Sequence, residues 1–463
     1  MNNIGLIGLG VMGQNLVLNM SDHGFSVSVF NRTYEVTKNF IIKNTSTDNS
    51  TNIFGFEDVK SFILSLERPR KIIFLVKAGD VVDDVIKELL PYSDSGDIII
   101  DSGNSFYKDT LRREIFLQEK NIKYIGLGIS GGEEGARHGP SFMAGGNKDA
   151  YNQISHILKA ISAKDFQGED CVSYFGDGGA GHFVKMIHNG IEYVDMQLLA
   201  DVYILLKNSN KNNSQIANVI HEFNSGRSGS YLVEITEKVL LKKDEDGSYL
   251  LDKILDVTSQ KGTGQWASVT ALEMGIPSFS FANSVFSRFM SSQKDTRLKM
   301  SKIYSKNSEC ISIAPTYIEK AYYCAKIISY AQGLEIIKKA SDDNNWNINL
   351  SECARIWQGG CIIRAKLLSE LYNIFNNNVQ IENILEDNSI SNVINSEISF
   401  LKDITAEAIK NSLFIPGMTS VLEYFESLTN SSLSANLTAA LRDVFGDHGY
   451  KRNDKTGDFH TEW

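Results

Sequence analysis

Four side chains able to exchange protons or grip polar groups stand close together in the sequence: Lys185, His188, Asn189 and Glu192. On a helix, offsets of three, four and seven residues put all four on one face. Around them lie Phe183, Val184, Met186, Ile187, Ile191, Met196 and Leu198, which suggests a largely buried helix. A polar stripe on a buried helix either satisfies itself or lines a cavity. A solvated face with an ordinary Lys–Glu pair is the plain alternative. Gly190 weakens that alternative, because a mid-helix glycine costs about 1 kcal/mol against alanine. Close approach of a ligand or of another helix would explain it.

A second constellation opens the chain. Gly8-Leu9-Gly10-Val11-Met12-Gly13 is a G-x-G-x-x-G run after an apolar strand candidate and before a helical pattern. In that setting the first glycine allows a tight turn, the second lets backbone amides approach a pyrophosphate, and the third lets helix and strand pack closely. The helix N-terminus then faces the phosphates. The second strand candidate ends in Phe30-Asn31-Arg32-Thr33. Asn31 removes the carboxylate that would grip a ribose 2′-hydroxyl and repel a 2′-phosphate, while Arg32 and Thr33 supply a cation and a hydroxyl donor. The site is therefore expected to prefer NADP over NAD. Its plain alternative is a glycine-rich turn and a solvated arginine.

The elements that must hold these residues can be read from the pattern. Ile4–Gly8, Ser26–Phe30, Lys71–Val76 and Asp97–Asp101 are short apolar runs of the kind buried on both faces of a parallel sheet. Helical stretches run to about Met20, where Gly24 is a good stop, and over about Asp80–Leu90 and Tyr107–Lys120. Repeated β-α units of this spacing predict a doubly wound sheet. The Ser/Thr/Asn tract 44–52 reads as a surface loop. Near Phe175 the character changes: from Gly181 to Glu426 there are few convincing strands and many helical repeats, and only 6 prolines interrupt the chain. The stretch from Arg442 to Trp463 has too few aliphatic residues for a core, so it is either disordered or laid across something else.

Composition bounds what such a molecule does. The 463 residues suit two to three domains, and 42 % hydrophobic residues exclude wholesale disorder. Lys and Arg number 46 against 56 Asp and Glu, a net charge of −10, the opposite sign from a general nucleic-acid or membrane-surface binder. Any anionic ligand must be held by locally gathered cations. Five cysteines, Cys171, Cys310, Cys324, Cys353 and Cys361, form no Cys-x-x-Cys pair and read mostly as free core thiols in a reducing compartment. Trp346 and Trp357 read as core residues. No run approaches the roughly 18 apolar residues of a membrane span, and no signal peptide is visible, so a cytoplasmic location is expected.

Taken together, several motifs resemble one family. They are Gly8–Leu16, Asn31-Arg-Thr33, Ile129-Ser-Gly-Gly-Glu-Glu-Gly-Ala-Arg137, Gly181–Tyr193, Lys261-Gly-Thr-Gly264, Gly359-Gly-Cys-Ile-Ile-Arg364 and Arg442-Asp-Val-Phe-Gly-Asp-His448. In this order, over nearly the whole chain, they resemble the decarboxylating 6-phosphogluconate dehydrogenases. Ala144 stands where that family often has proline, Ser102 where it often has glycine, and the chain ends soon after Phe459. The resemblance implies oxidation of 6-phosphogluconate at C3 by NADP⁺, loss of CO₂ and release of ribulose 5-phosphate, within the pentose phosphate pathway.

By the same resemblance, Lys185 would act as base and then acid at the C3 oxygen, and Glu192 would protonate the enediol. Ser130, Gly131 and Gly132 would meet the substrate carboxylate, with Asn104, His188 and Asn189 orienting its hydroxyls. Tyr193, Lys261, Arg288, Arg442 and His448 would gather round the phosphate. Met12 and Glu133 would flank the nicotinamide, with Asn104 near it, and Val76, Lys77 and Ala78 would line the cofactor crevice. No metal is expected, since a protonated Lys185 can stabilise the developing oxyanion. The implied architecture is an α/β Rossmann-type NADP-binding domain (1–178), a large all-α substrate and dimerisation domain (179–436) and a C-terminal tail (437–463) that completes the partner's site in a homodimer. A shorter β-hydroxyacid dehydrogenase would share the nucleotide fold but would not need Lys261, Arg288, Arg442 and His448. A catalytically silent NADPH-binding regulator would not need the Lys185–Glu192 pair.

Overall fold

A computed structural model describes residues 1–45, 52–304 and 309–463. The first part of the chain builds one eight-stranded sheet. Its strands are β1 (Ile4–Ile7), β2 (Val27–Phe30), β3 (Ile53–Phe56), β4 (Lys71–Phe74), β5 (Ile98–Asp101), β6 (Lys123–Ser130), β7 (Ser141–Gly146) and β8 (Val172–Tyr174), in the spatial order β3-β2-β1-β4-β5-β6-β7-β8. All neighbours are parallel except β6 and β7. The isoleucine-rich runs of β1, β4 and β5 are buried because helices cover both faces. Those helices are α1 (Val11–Asp22), α2 (Tyr34–Thr45), α3 (Val59–Leu64), α4 (Asp80–Leu89), α5 (Tyr107–Gln118), α6 (Gly132–His138) and α7 (Lys148–Ile161). Asn44 and Thr45, expected in a loop, end α2; residues 46–51 of that tract lie outside the described residues.

The strand order reverses between β1 and β4, and a crevice outside the carboxyl ends of such strands is where a doubly wound sheet takes its ligand. Among the described residues the chain forms no strand after β8. Next come α8 (Ala180–Asn208), α9 (Asn213–Ser225), α10 (Tyr231–Leu241), α11 (Thr263–Glu273), α12 (Phe279–Ser292) and α13 (Lys294–Ile303). They are followed by α14 (Pro315–Asn344), α15 (Leu350–Ile356), α16 (Leu367–Asn377), α17 (Asn388–Lys410), α18 (Pro416–Thr429) and α19 (Ala435–Gly446). No helix is long and apolar enough to cross a membrane, among the described residues.

Two long helices form the middle of this second part. α8 and α14 pack along each other through a shared apolar cluster. Inside it the fully buried Asp195 accepts from Tyr322 Oη at 2.7 Å and Lys326 Nζ at 2.8 Å, so neither charge is left alone. Trp357 is fully buried, and Trp346 packs its ring on Phe183. Gly190 owes its place to a helix, not a ligand: a Cβ there would lie 2.3 Å from Phe281 Cε2 and 3.2 Å from Ala267 Cβ. Gly190→Val is expected to overpack this crossing of α8 with α11 and α12 and to destabilise the fold by about 1–3 kcal/mol, read from the denaturant midpoint.

The C-terminal stretch is ordered, in contrast to one of the two expectations for it. The expected boundary at 437 falls inside α19, which begins at Ala435. Beyond the helix, Tyr450 and Phe459 exchange backbone hydrogen bonds of 2.8 and 2.9 Å. The buried Asp443 then ties the last residues to the helix, accepting from Gly449 N at 2.9 Å, Thr461 N at 3.1 Å and Trp463 Nε1 at 2.9 Å. One polar hub replaces the aliphatic core that the segment lacks. Among the described residues α19 itself packs broadly against no other element, and Leu437, Leu441, Val444 and Phe445 are all exposed.

Candidate active site

The crevice at the strand reversal is a cleft of about 440 Å³. Gly8, Gly10, Asn31, Arg32, Thr33, Val76 and Lys77 line it. Gly8 takes φ +101°, and a Cβ on Gly13 would lie 2.0 Å from the Gly8 carbonyl oxygen, so the turn and the start of α1 close only with glycine at both positions. Gly10 faces open space, as a backbone meant to meet a pyrophosphate should. Asn31 has a structural role, since its Oδ1 accepts from Leu9 N at 3.1 Å and pins the glycine turn to the end of β2. Arg32 is exposed at the rim and makes no ion pair among the described residues. The residues present fit a phosphorylated dinucleotide. Val11, Met12, Ala78, Asn104 and Glu133 lie outside this lining: Met12 and Ala78 are half-buried, Val11 and Glu133 are exposed, and Asn104 is exposed on the turn after β5.

α8 enters against the far end of the same sheet. β6 carries glycine at 126 and 128, and both are required by the helix. A Cβ at Gly126 would lie 2.8 Å from His182 Nδ1, and one at Gly128 would lie 2.4 Å from Lys185 Cβ. The lysine stem therefore lies directly on the strand that ends in Ser130.

The expected polar stripe is present, with Lys185, His188 and Asn189 buried and Glu192 half-buried. His188 is fully buried; its Nδ1 lies 2.9 Å from Asn189 Oδ1, and its Nε2 lies 3.0 Å from Ser130 Oγ and 2.6 Å from Cys361 Sγ. Burial, with Lys185 adding to it, holds the His188 pKa well below its ordinary value, so the ring is neutral. The amide oxygen can only accept, which puts the ring proton on Nδ1 and leaves Nε2 to accept from the hydroxyl or the thiol. Burial pushes Cys361 up to about 11, so it remains a thiol at neutral pH. The contact of Cys361 with His188 differs from the packing role read for this cysteine in the sequence. Its only sequence signal is the Gly359-Gly360 pair before it, and Gly131 leaves 2.6 Å between its would-be Cβ and the Gly360 oxygen.

Lys185 Nζ stands 3.5 Å from His188 Nδ1. Burial lowers its pKa, while Glu192 opposes the shift. Burial raises the Glu192 pKa, opposed by Lys185 and Arg288. An amine shifted down and a carboxyl shifted up, on one helical face, are the two directions needed for proton exchange near neutral pH.

Beyond Glu192 the site becomes cationic. The Arg288 guanidinium sits 3.5 Å from the centre of the Tyr193 ring, a stacking that presets its plane. Tyr193 in turn fits against Gly264, where a Cβ would come within 2.5 Å of the ring. Lys261 is exposed at the start of the same segment. Arg442 and His448 are exposed on α19 and just after it, and among the described residues that helix does not pack broadly onto α8, α11 or α12. The structure thus gathers Ser130, Lys185, His188, Asn189, Glu192, Tyr193 and Arg288, and leaves Arg442 and His448 outside that group. Asp443, Asp447 and His460 place one ligand atom each within 4.8 Å of one another, but Asp443 is already committed to its hydrogen-bond donors.

Comparison with known proteins covers the whole chain. Residues 3–176 match the model described as the NAD binding domain of 6-phosphogluconate dehydrogenase, and residues 181–463 match its C-terminal domain. The chain is 45 % identical over 465 residues to "6-phosphogluconate dehydrogenase, decarboxylating" of Staphylococcus aureus, spanning 99 % of this chain and 98 % of that one. The protein of the same description from Escherichia coli K12 is 45 % identical over the same shares. Among solved structures, 6-phosphogluconate dehydrogenase of Plasmodium falciparum, described apo, with its cofactor NADP⁺ and with its substrate 6-phosphogluconate, superposes with a TM-score of 0.95 at 42 % identity over 100 % of both chains.

Proposed function

The chain belongs to the 6-phosphogluconate dehydrogenase family, and from that premise we propose that Lys185 and Glu192 are the acid–base pair of its reaction. The enzyme oxidises and decarboxylates 6-phosphogluconate to ribulose 5-phosphate and CO₂, reducing NADP⁺. The observation that carries the assignment is the buried face of α8, where an amine and a carboxyl have opposite pKa shifts.

Gly8, Gly10, Arg32 and Thr33 would hold NADP⁺ in the β1–β4 crevice, where it would supply the acceptor for the hydride that leaves C3. Neutral Lys185 receives the C3 hydroxyl proton as that hydride leaves. The resulting 3-keto acid loses its carboxylate as CO₂ because the C3 oxygen accepts the electron pair, and the now protonated Lys185 returns the proton to that oxygen. Glu192, held protonated by burial, gives a proton to the enediol carbon that becomes C1 of the product while the enol hydroxyl passes its proton to the neutral Lys185, which forms the ketone; proton transfer from Lys185 back to Glu192 then resets the pair. Ser130 and the Gly131–Gly132 backbone hold the carboxylate end. His188, kept neutral by burial and Lys185 and set in its tautomer by Asn189, and Asn104 orient the hydroxyls. Tyr193, Lys261 and Arg288 hold the phosphate. Met12 and Glu133 flank the nicotinamide, and Val76 and Lys77, with Ala78 beside them, line the cofactor crevice.

The protein works as a homodimer in which Arg442 and His448 of each tail complete the phosphate site of the other subunit. Two features support this reading: the exposed apolar side of α19, and an exposed guanidinium and imidazole held on a segment that packs broadly against no other element among the described residues. The division into an NADP-binding domain (1–178), a helical domain (179–436) and a tail (437–463), and a cytoplasmic location, belong to the same reading. The direct test is to mix the purified chain with NADP⁺ and 6-phosphogluconate and follow NADPH absorbance and CO₂ together; equimolar appearance is expected, and NADPH without CO₂ would overturn it.

Cofactor choice gives a sharper test of the rim. Only NADP⁺ carries the 2′-phosphate that Arg32 and Thr33 would meet. Arg32→Ala is expected to weaken NADP⁺ roughly tenfold to a hundredfold and to leave NAD⁺ nearly unchanged, measured by titrating both cofactors. Equal losses for the two would return Arg32 to the solvent.

A further inference from the structure

The buried polar groups under the crevice lead to a residue outside the lining of both sites. Asp101 closes β5, has no solvent exposure, and touches no position assigned to substrate or cofactor. Its Oδ1 accepts from Gly103 N at 3.1 Å. Its Oδ2 accepts from Ser105 Oγ at 2.6 Å and from Tyr124 Oη on β6 at 3.0 Å. Three donors from two elements thus converge on one carboxyl group, and two of them bracket Asn104.

The surroundings leave that turn little freedom. A Cβ on Gly103 would come within 3.0 Å of the Val76 carbonyl oxygen, so the turn after β5 lies against the loop after β4. Arg113, 1 % exposed on α5, stands 3.7 Å from Asp101 Oδ2. It donates to Gly79 O at 2.9 Å and to both oxygens of Asp83, at 3.1 and 2.9 Å. The same group of residues therefore spans both loops at the mouth of the crevice. It also reaches α8: His182, three residues before Lys185 and 1 % exposed, lies 2.7 Å from Thr110 Oγ1 and against Gly126 of β6.

We infer that Asp101 is a positioning residue for hydride transfer, fixing the turn of Asn104 relative to the loop after β4 and to Lys185. The inference rests on the reading that Asn104 meets the reactants and that Lys185 is the base. Its physical basis is geometric. Hydride transfer needs donor and acceptor carbons held in a near-attack arrangement, and a small displacement of a positioning group costs far more in rate than in binding. A carboxyl group with three donors holds its turn more stiffly than the backbone would alone.

The test uses the full-length enzyme with Asp101→Asn, Ser105→Ala and Tyr124→Phe made singly, and Asn104→Ala beside them. Each is assayed for kcat, both KM values, NADP⁺ affinity, thermal midpoint and the primary isotope effect with substrate deuterated at C3. The three supporting variants are expected to lower kcat about 10- to 100-fold. The isotope effect on kcat should rise as hydride transfer becomes limiting, with NADP⁺ affinity little changed. A purely structural role would lower the thermal midpoint and active fraction without raising the isotope effect, and that result overturns the inference. Should Asp101→Asn fail to fold, Ser105→Ala and Tyr124→Phe still decide, since each removes one donor and leaves the carboxyl group in place. Loss of rate in Asn104→Ala but not in the three others refutes the role of Asp101 alone. Full activity in Asn104→Ala refutes the reading of Asn104, and the inference with it.

Discussion

Replacing Lys185 with methionine is expected to abolish hydride transfer, with a loss in kcat of roughly 10²–10⁴-fold or more, while NADP⁺ still binds. Methionine retains the length of the stem, which lies on Gly128, so the fit between α8 and β6 survives. What disappears is the amine on the buried face. The pH dependence follows from the direction of the shift. Burial lowers the Lys185 pKa, so the neutral amine that the reaction needs persists to lower pH than an ordinary lysine would allow. Activity of the unaltered enzyme should therefore fall on the acid side as Lys185 takes up a proton, and on the alkaline side as Glu192, whose pKa is raised, loses the one it must give. Glu192→Gln should slow turnover and flatten the alkaline limb alone. Near-normal turnover by Lys185→Met would remove the mechanism.

The second large effect concerns two chains at once. Arg442→Ala is expected to raise KM for 6-phosphogluconate strongly, about tenfold to a hundredfold, with NADP⁺ affinity little altered. Mixed with Lys185→Met under subunit exchange, it separates two geometries. If each tail serves the other subunit, a heterodimer carries both lesions in one site and keeps the second site whole. If each tail serves its own subunit, both sites are damaged. Recovery of up to one working site per heterodimer is expected. No recovery, with exchange confirmed by mass, would overturn completion by the partner and assign each tail to its own subunit's site, whereas an unchanged KM in Arg442→Ala would return Arg442 to the surface.

The parts of the molecule that are legible in the sequence share a physical feature: their signal is local. The crevice announces itself because glycine spacing, strand and helix adjoin. β1, β4 and β5 are read from runs of β-branched residues, and the face of α8 from its periodicity. β6 and β7 escape such a reading, because Lys123-Tyr-Ile-Gly-Leu-Gly-Ile-Ser130 and Ser141-Phe-Met-Ala-Gly-Gly146 dilute strand residues with glycine. Those of β6 answer to His182 and Lys185, more than fifty positions later, and no window along the chain contains both partners. Gly190 is legible as a close approach but not as Phe281. Cys361 reads as packing because its contact with His188 is likewise made across the chain. The tail reads as a candidate for disorder, since counting aliphatic residues does not reveal one buried carboxyl group with several donors.

The two bare positions on β6 have a consequence for how accurately the enzyme can be assembled. Where two domains meet through side chains, every rotamer at the joint adds its own error to the distance between a cofactor on one and a base on the other. Here the lysine stem rests on backbone. Cradle and base are thus referenced to a single surface, as two bores drilled from one datum plane stay aligned however the rest of the block is cut. Sequence drift in the outer helices can then proceed without moving the reacting atoms apart, whereas one methyl group added at 128 would displace the base although it touches no ligand.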